Sequence, residues 1–159
     1  MDVFVIEREE NIKRKLKTFM KNLQFEDSNL FIFDVHKTAL TREGEINKSV
    51  YNTIKKLLDN NFQVIFLSYV GKITGKIERI EKTANQLNSK TLYREIPKFF
   101  IKKRIKQVFM KDLSQLLIKK IEMTLIDDNS RNISDVNQLK NKKFKSFQFE
   151  DKVSYKDLV

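Results

Sequence analysis

Apolar residues recur in this chain with two alternating periods, and the alternation outlines a fold. Ile12, Leu16, Phe19, Met20 and Leu23 sit at helical spacing between lysines and arginines, which predicts a basic amphipathic helix over 7–24. The run Leu30-Phe31-Ile32-Phe33 then predicts a buried strand over 30–35. Ile46, Val50, Ile54, Leu57 and Leu58 predict a second helix, closed by Asn60-Asn61 before the apolar run Phe62 to Leu67. Strand, helix and strand in that order make a βαβ unit. A third helix is expected through Ile73, Ile77, Ile80, Ala84 and Leu87, followed by an extended piece at Thr91 to Tyr93.

Residues 97–110 fit two descriptions, because Ile101, Ile105, Val108 and Phe109 suit a helix while Phe99-Phe100 suit a loop. Residues 112–119 read as helical, and Glu122 to Ile126 as a buried strand ending in Asp127-Asp128. Ile133, Val136 and Leu139 mark a last helix, and Phe147 and Phe149 a final strand. Strands alternating with helices imply an α/β fold: a Rossmann-like, three-layer α/β/α domain around a mainly parallel sheet. In such sheets ligands bind beyond the carboxyl ends of the strands. Asp34, Ser68 and Asp127, each closing an apolar run, are therefore expected at one edge.

Composition narrows this picture without changing it. With 159 residues, 40% hydrophobic and 33% charged, the chain suits a single globular domain over 1–159, and three Gly and one Pro argue against low-complexity stretches. Within it, 1–27 is expected to form an N-terminal strand and helix extension that packs on a core of 28–150. The basic helix is expected to cover the sheet rather than bind a membrane or a partner. No apolar stretch reaches the roughly 20 residues that span a bilayer, and Met1 to Glu7 lacks a basic leader segment. The absence of cysteine excludes disulfides and thiolate metal sites. An intracellular protein is expected, cytoplasmic, or nuclear if its source is eukaryotic or viral. The net charge of +11 either attracts phosphate-rich partners or simply solvates the surface.

The strand-end residues carry a recognisable chemistry. A carboxylate nucleophile attacking phosphorus needs a cation beside it, and Mg²⁺ takes oxygen ligands from one or two carboxylates plus substrate and water. Asp34 and Asp127 can supply both functions. A hydroxyl such as Ser68 can hold a phosphoryl oxygen, and a lysine can stabilise developing charge. Each element has a plain alternative: Asp34 as a turn cap, Ser68 as an ordinary strand-end residue, and Asp127-Asp128-Asn129-Ser130 as a polar turn.

Taken in order, Asp34-Val35-His36-Lys37-Thr38, Val64 to Ser68, Lys111 and Thr124 to Asp128 resemble the four motifs of the haloacid dehalogenase-like phosphohydrolases. The resemblance covers about residues 28–150. Met110-Lys111-Asp112-Leu113-Ser114 leading to Asp127-Asp128-Asn129-Ser130 is similar to the small phosphatases that act on the RNA polymerase II C-terminal domain. Leu125 to Asn129 is also similar to the phosphatase domain of polynucleotide kinase-phosphatases.

The resemblance implies Asp34 as nucleophile and His36 as the acid/base. Thr38, Ser68 and Lys111 would bind the substrate phosphate. Asp34, Asp127, Asp128 and the backbone carbonyl of His36 would hold Mg²⁺, with Asp127 favoured over Asp128 as the direct ligand. His36 departs from the family pattern, which has a second aspartate there. Imidazole can carry protons near neutral pH, or the substitution marks a site that binds without turning over. Lys37 stands where many members have glycine and either meets phosphate or points to solvent.

Thr41 to Glu45 leaves no room for an inserted cap, and 71–110 is mostly consumed by a helix and a strand. The expected domain is capless, with an open site that suits phosphate on a macromolecule. Together with the charge, this favours a DNA or RNA terminal phosphate, with a phosphoprotein as the alternative substrate and a non-catalytic nucleic-acid or partner-binding module as the alternative function. Tyr69, Tyr93, Phe99 and Phe100 are available to stack on bases, although core packing explains phenylalanines more simply.

Overall fold

The computed structural model describes residues 3–6, 28–69, 82, 90–94, 122–139 and 142–159. The expected helices over 7–24 and 112–119 and the segment 97–110 lie outside these residues, as does the third helix apart from Lys82, which is helical. No helix among the described residues is long and apolar enough to cross a membrane.

Six strands, β1 (Val3–Ile6), β2 (Leu30–Phe33), β3 (Gln63–Tyr69), β4 (Lys90–Arg94), β5 (Met123–Asp127) and β6 (Phe144–Gln148), form one sheet of order β1-β4-β3-β2-β5-β6. Every pairing is parallel. With the helices α1 (Lys48–Asp59), α2 (Ser130–Asn137) and α3 (Tyr155–Leu158), this is an α/β fold. The central strands are mostly apolar because both sides of a parallel sheet are covered. All four residues of β2 and all five of β5 are buried.

Successive residues of a strand serve opposite faces. Phe31, Phe33, Val64, Phe66 and Ile126 pack with Val50, Ile54 and Leu57 of α1 in one cluster. Their neighbours Leu30, Ile32, Ile65 and Leu125 are equally buried but belong outside it. Helix α1 begins where the Asn47 carboxamide oxygen accepts from the amides of Ser49 and Val50, at 3.0 and 3.2 Å. It ends where Asn61 takes a left-handed φ of 64°. There the Asn61 amide donates to Leu58 and the Phe62 amide to Leu57, both at 3.0 Å, which satisfies carbonyls the helix leaves open.

Several boundaries differ from the pattern-based expectation. Strand β2 stops at Phe33 rather than 35 because the carbonyls of Asp34 and Val35 turn to accept from Ala39, Thr38 and Leu40. Strand β3 runs on to Tyr69, so Ser68 lies inside it rather than closing it. Helix α3 follows the last strand and was too short to register as a period. The N-terminal residues Val3 to Ile6 form an edge strand of the sheet itself, paired with β4.

Candidate functional site

The site lies where the topology changes direction. From β2 the chain moves through α1 to β3 on one side, and from β5 through α2 to β6 on the other. The crevice between two neighbouring strands that depart oppositely is where parallel α/β sheets bind ligands. Phe33 pairs with Ile126, and the Asp34 amide extends that ladder by donating to the Ile126 carbonyl at 2.9 Å. Asp34 and Asp127 therefore stand side by side, one residue past the last pair.

Oxygen atoms of Asp34, Asp127 and Asp128 all lie within 4.8 Å of one another. Asp127 is fully buried and Asp34 8% exposed, while Asp128 is half-buried. Each carboxylate is oriented by its surroundings. Asp127 accepts from the Asn129 amide at 2.9 Å through Oδ1 and from the Asn132 carboxamide at 3.0 Å through Oδ2. The first is the local turn an Asp makes two residues ahead of itself, and it sets up Asn129 to cap α2 by accepting from the Arg131 amide at 2.9 Å. The main chain of this corner is anchored to the end of β6: the Phe149 amide donates to the Asp127 carbonyl at 2.8 Å and the Gln148 carboxamide to the Asp128 carbonyl at 2.6 Å.

Thr38, expected to meet the substrate phosphate, is completely buried. Its hydroxyl lies 3.4 Å from both Asp34 Oδ2 and Asp128 Oδ1. One hydroxyl proton can serve only one acceptor at a time, so Thr38 sits as a spacer between two carboxylates. The tight loop that follows supports this placement. Leu40 bridges Ile46 in antiparallel fashion, the Thr41 amide donates to the Glu45 carbonyl at 2.7 Å, and Gly44 takes a φ of 83° that glycine adopts freely.

His36 and Lys37 are exposed, and the imidazole is not among the three groups gathered within 4.8 Å. Lys37 has a φ of 60°, which accounts physically for a preference for glycine at such a position. Ser68 lies at the carboxyl end of β3, next to β2 in the sheet. Lys111 lies outside the described residues. Asn129 and Asn132 were not singled out from sequence; the signal was present in Asp127-x-Asn129 as a turn and in the position of Asn132 on the first turn of α2.

The donor set is all oxygen, as hard cations require. Around Mg²⁺, with ligands at about 2.1 Å, adjacent oxygens lie about 3 Å apart and opposite ones about 4 Å. Three carboxylate oxygens within 4.8 Å of one another are close to that spacing. Beside Asp128 opens a cleft of about 540 Å³ whose walls include Lys37, Arg42, Glu150 and Asp151. Compared with family models, with curated proteins and with solved structures, the chain matches none.

Proposed function

We propose that this protein is a Mg²⁺-dependent phosphatase of the haloacid dehalogenase-like type, acting on a phosphorylated macromolecule and best suited to a nucleic-acid terminal phosphate. The observation that carries this reading is the convergence of Asp34, Asp127 and Asp128 at the carboxyl edge of adjacent parallel strands. The three-layer, Rossmann-like arrangement is supported by the two crossovers. Right-handed connections running in opposite directions from β2 and β5 put α1 and α2 on opposite faces.

In this reading an Asp34 carboxylate oxygen attacks phosphorus, and the bond from phosphorus to the leaving oxygen breaks. His36 gives its proton to that oxygen, then accepts one from the water that hydrolyses the aspartyl phosphate, restoring Asp34. Asp127, held by Asn129 and Asn132, and Asp128, touched by Thr38, are the groups that would hold Mg²⁺. Bound there, the ion neutralises phosphoryl charge beside the nucleophile. The short loop from Thr41 to Glu45, closed by the Thr41 amide on the Glu45 carbonyl, supports the reading of a capless site open to a large substrate.

The exposure of His36 supports a second reading, a nucleic-acid-binding module that holds phosphate without turnover. One comparison separates the two. The protein and its Asp34→Asn variant are incubated with para-nitrophenyl phosphate and with 3′- and 5′-phosphorylated oligonucleotides, with and without Mg²⁺. Metal-dependent phosphate release that the variant lacks supports the enzyme, whereas salt-sensitive oligonucleotide binding without release supports the module. Release from a phosphoserine peptide but not from oligonucleotides would redirect the substrate class to phosphoproteins.

A further inference from the structure

The cleft beside Asp128 has two walls of opposite charge. One is the turn that follows Asp34, with Lys37 and Arg42; the other is the end of β6 and the segment after it, with Gln148, Glu150 and Asp151. Its volume of about 540 Å³ falls in the range of small-ligand sites. Lys37 and Arg42 are exposed, and among the described residues neither is held in an ion pair. The Lys37 backbone has a φ of 60°, a conformation that favours glycine. The turn sets Lys37 among the residues that line the cleft. The opposite wall is fixed in place: the Asn47 carboxamide donates to the Asp151 carbonyl at 3.1 Å, and that of Gln148 to the Asp128 carbonyl at 2.6 Å.

These walls restrict what fits. A ligand of anionic groups alone would meet repulsion from Glu150 and Asp151, and a basic peptide would meet it from Lys37 and Arg42. A nucleotide unit carries both complements, an anionic phosphodiester and the N–H and O–H donors of base and sugar. We propose that this cleft receives the nucleoside bearing the terminal phosphate, with the next phosphodiester on Lys37 and Arg42 and the base or sugar donors on Glu150 and Asp151. The inference rests on the reading of Asp34 as acting on a terminal phosphate, and it makes a dinucleotide the smallest fully recognised ligand.

The test measures equilibrium affinity by calorimetry in the full chain carrying Asp34→Asn, with Mg²⁺, so that bound ligand is not consumed. The probes are a mononucleotide, a dinucleotide with one terminal phosphate, and a phosphoserine peptide. The dinucleotide is expected to bind about tenfold more tightly than the mononucleotide. Lys37→Gly, which keeps the left-handed backbone, and Arg42→Gln are each expected to cut that ratio about threefold, the scale of a single exposed ion contact. Each should also flatten the salt dependence of dinucleotide binding. Thermal melts of the same variants verify that they remain folded. Equal affinities for the two nucleotides, a ratio unmoved by both substitutions, or tighter binding of the peptide would overturn the inference. The native chain is assayed for phosphate release from the same dinucleotide. Release without the affinity ratio refutes this inference alone; the ratio without release refutes the phosphatase reading and keeps the cleft only as the nucleoside site of a module that binds a terminal phosphate without turnover.

Discussion

Replacing Asp128 by asparagine should have opposite effects on stability in the absence and presence of a divalent cation. At the 4.8 Å that bounds the three carboxylates, two full charges repel by about 0.9 kcal/mol in water and about 3.5 kcal/mol at an effective dielectric of about 20. Asp128 takes part in two such pairs. Because it is half-buried, the aqueous end of the range applies, and its neutralisation relieves about 2 kcal/mol. Asparagine keeps an oxygen for the Thr38 hydroxyl 3.4 Å away, but the contact loses its charge, leaving a net gain of about 1 kcal/mol. For a chain of this size that raises the melting temperature by about 2–4 °C. In EDTA the variant should therefore melt above the native protein. With Mg²⁺ at ten times its dissociation constant the native protein gains about 1.4 kcal/mol, and the variant, short of one charged ligand, should gain less. Differential scanning fluorimetry across a Mg²⁺ titration measures both effects. A lower melting temperature in EDTA would refute the repulsion, and equal Mg²⁺ shifts in the two proteins would remove Asp128 from the metal site.

Asp127→Asn should behave in the opposite way without metal: both its oxygens accept from protein donors, so an NH₂ group must face one of them, costing about 1–3 kcal/mol in urea denaturation. Asn47→Ala should lose the α1 cap and the tie to Asp151, about 1–2 kcal/mol. Asn47→Asp keeps the cap and loses only the tie, so it should cost less, and its shift in urea midpoint from the native protein isolates the tie. Gly44→Ala, at a φ of 83°, should destabilise by about 1–2 kcal/mol and broaden amide signals from Leu40 to Ile46 in NMR spectra. Phe33→Ala, in a fully buried position, should cost about 3–5 kcal/mol, read from the denaturant midpoint at constant slope.

Much of the sheet was legible because its central strands are buried on both sides. Leu30 to Phe33 is an unbroken apolar run, Met123 to Ile126 is apolar apart from the buried Thr124, and the carboxylates that follow stand out as the first charged residues beyond the core. Helix α1 announced itself through Val50, Ile54 and Leu57, and Asn60-Asn61 marked its end. Strand order was not legible in the same way. Val3 to Ile6 pairs with β4, across most of the first hundred residues, and such a partnership depends on tertiary fit that no local period encodes. The burial of Thr38 was not legible either: the resemblance gave it a phosphate-binding role, and only the folded turn brings its hydroxyl within 3.4 Å of both Asp34 and Asp128. Ser68 shows the limit of using polarity to end a strand, since β3 continues past it.

The register of β2 against β5 explains why the acids converge at all. Leu30 pairs with Met123 and Phe33 with Ile126, so each strand has four buried residues before its first carboxylate. A slip of one residue would turn Leu125 and Asp127 to the face now occupied by Ile126. It would place a charge among Phe33, Phe66 and Val50, where its desolvation has no compensation. The hydrophobic core thus opposes a one-residue slip away from the alignment that brings Asp34 beside Asp127. The same constraint concentrates like charge at a single point of the sheet edge. The two helices leave that point in opposite directions, so the packing that specifies the fold also leaves a crevice where a cation can relieve the repulsion.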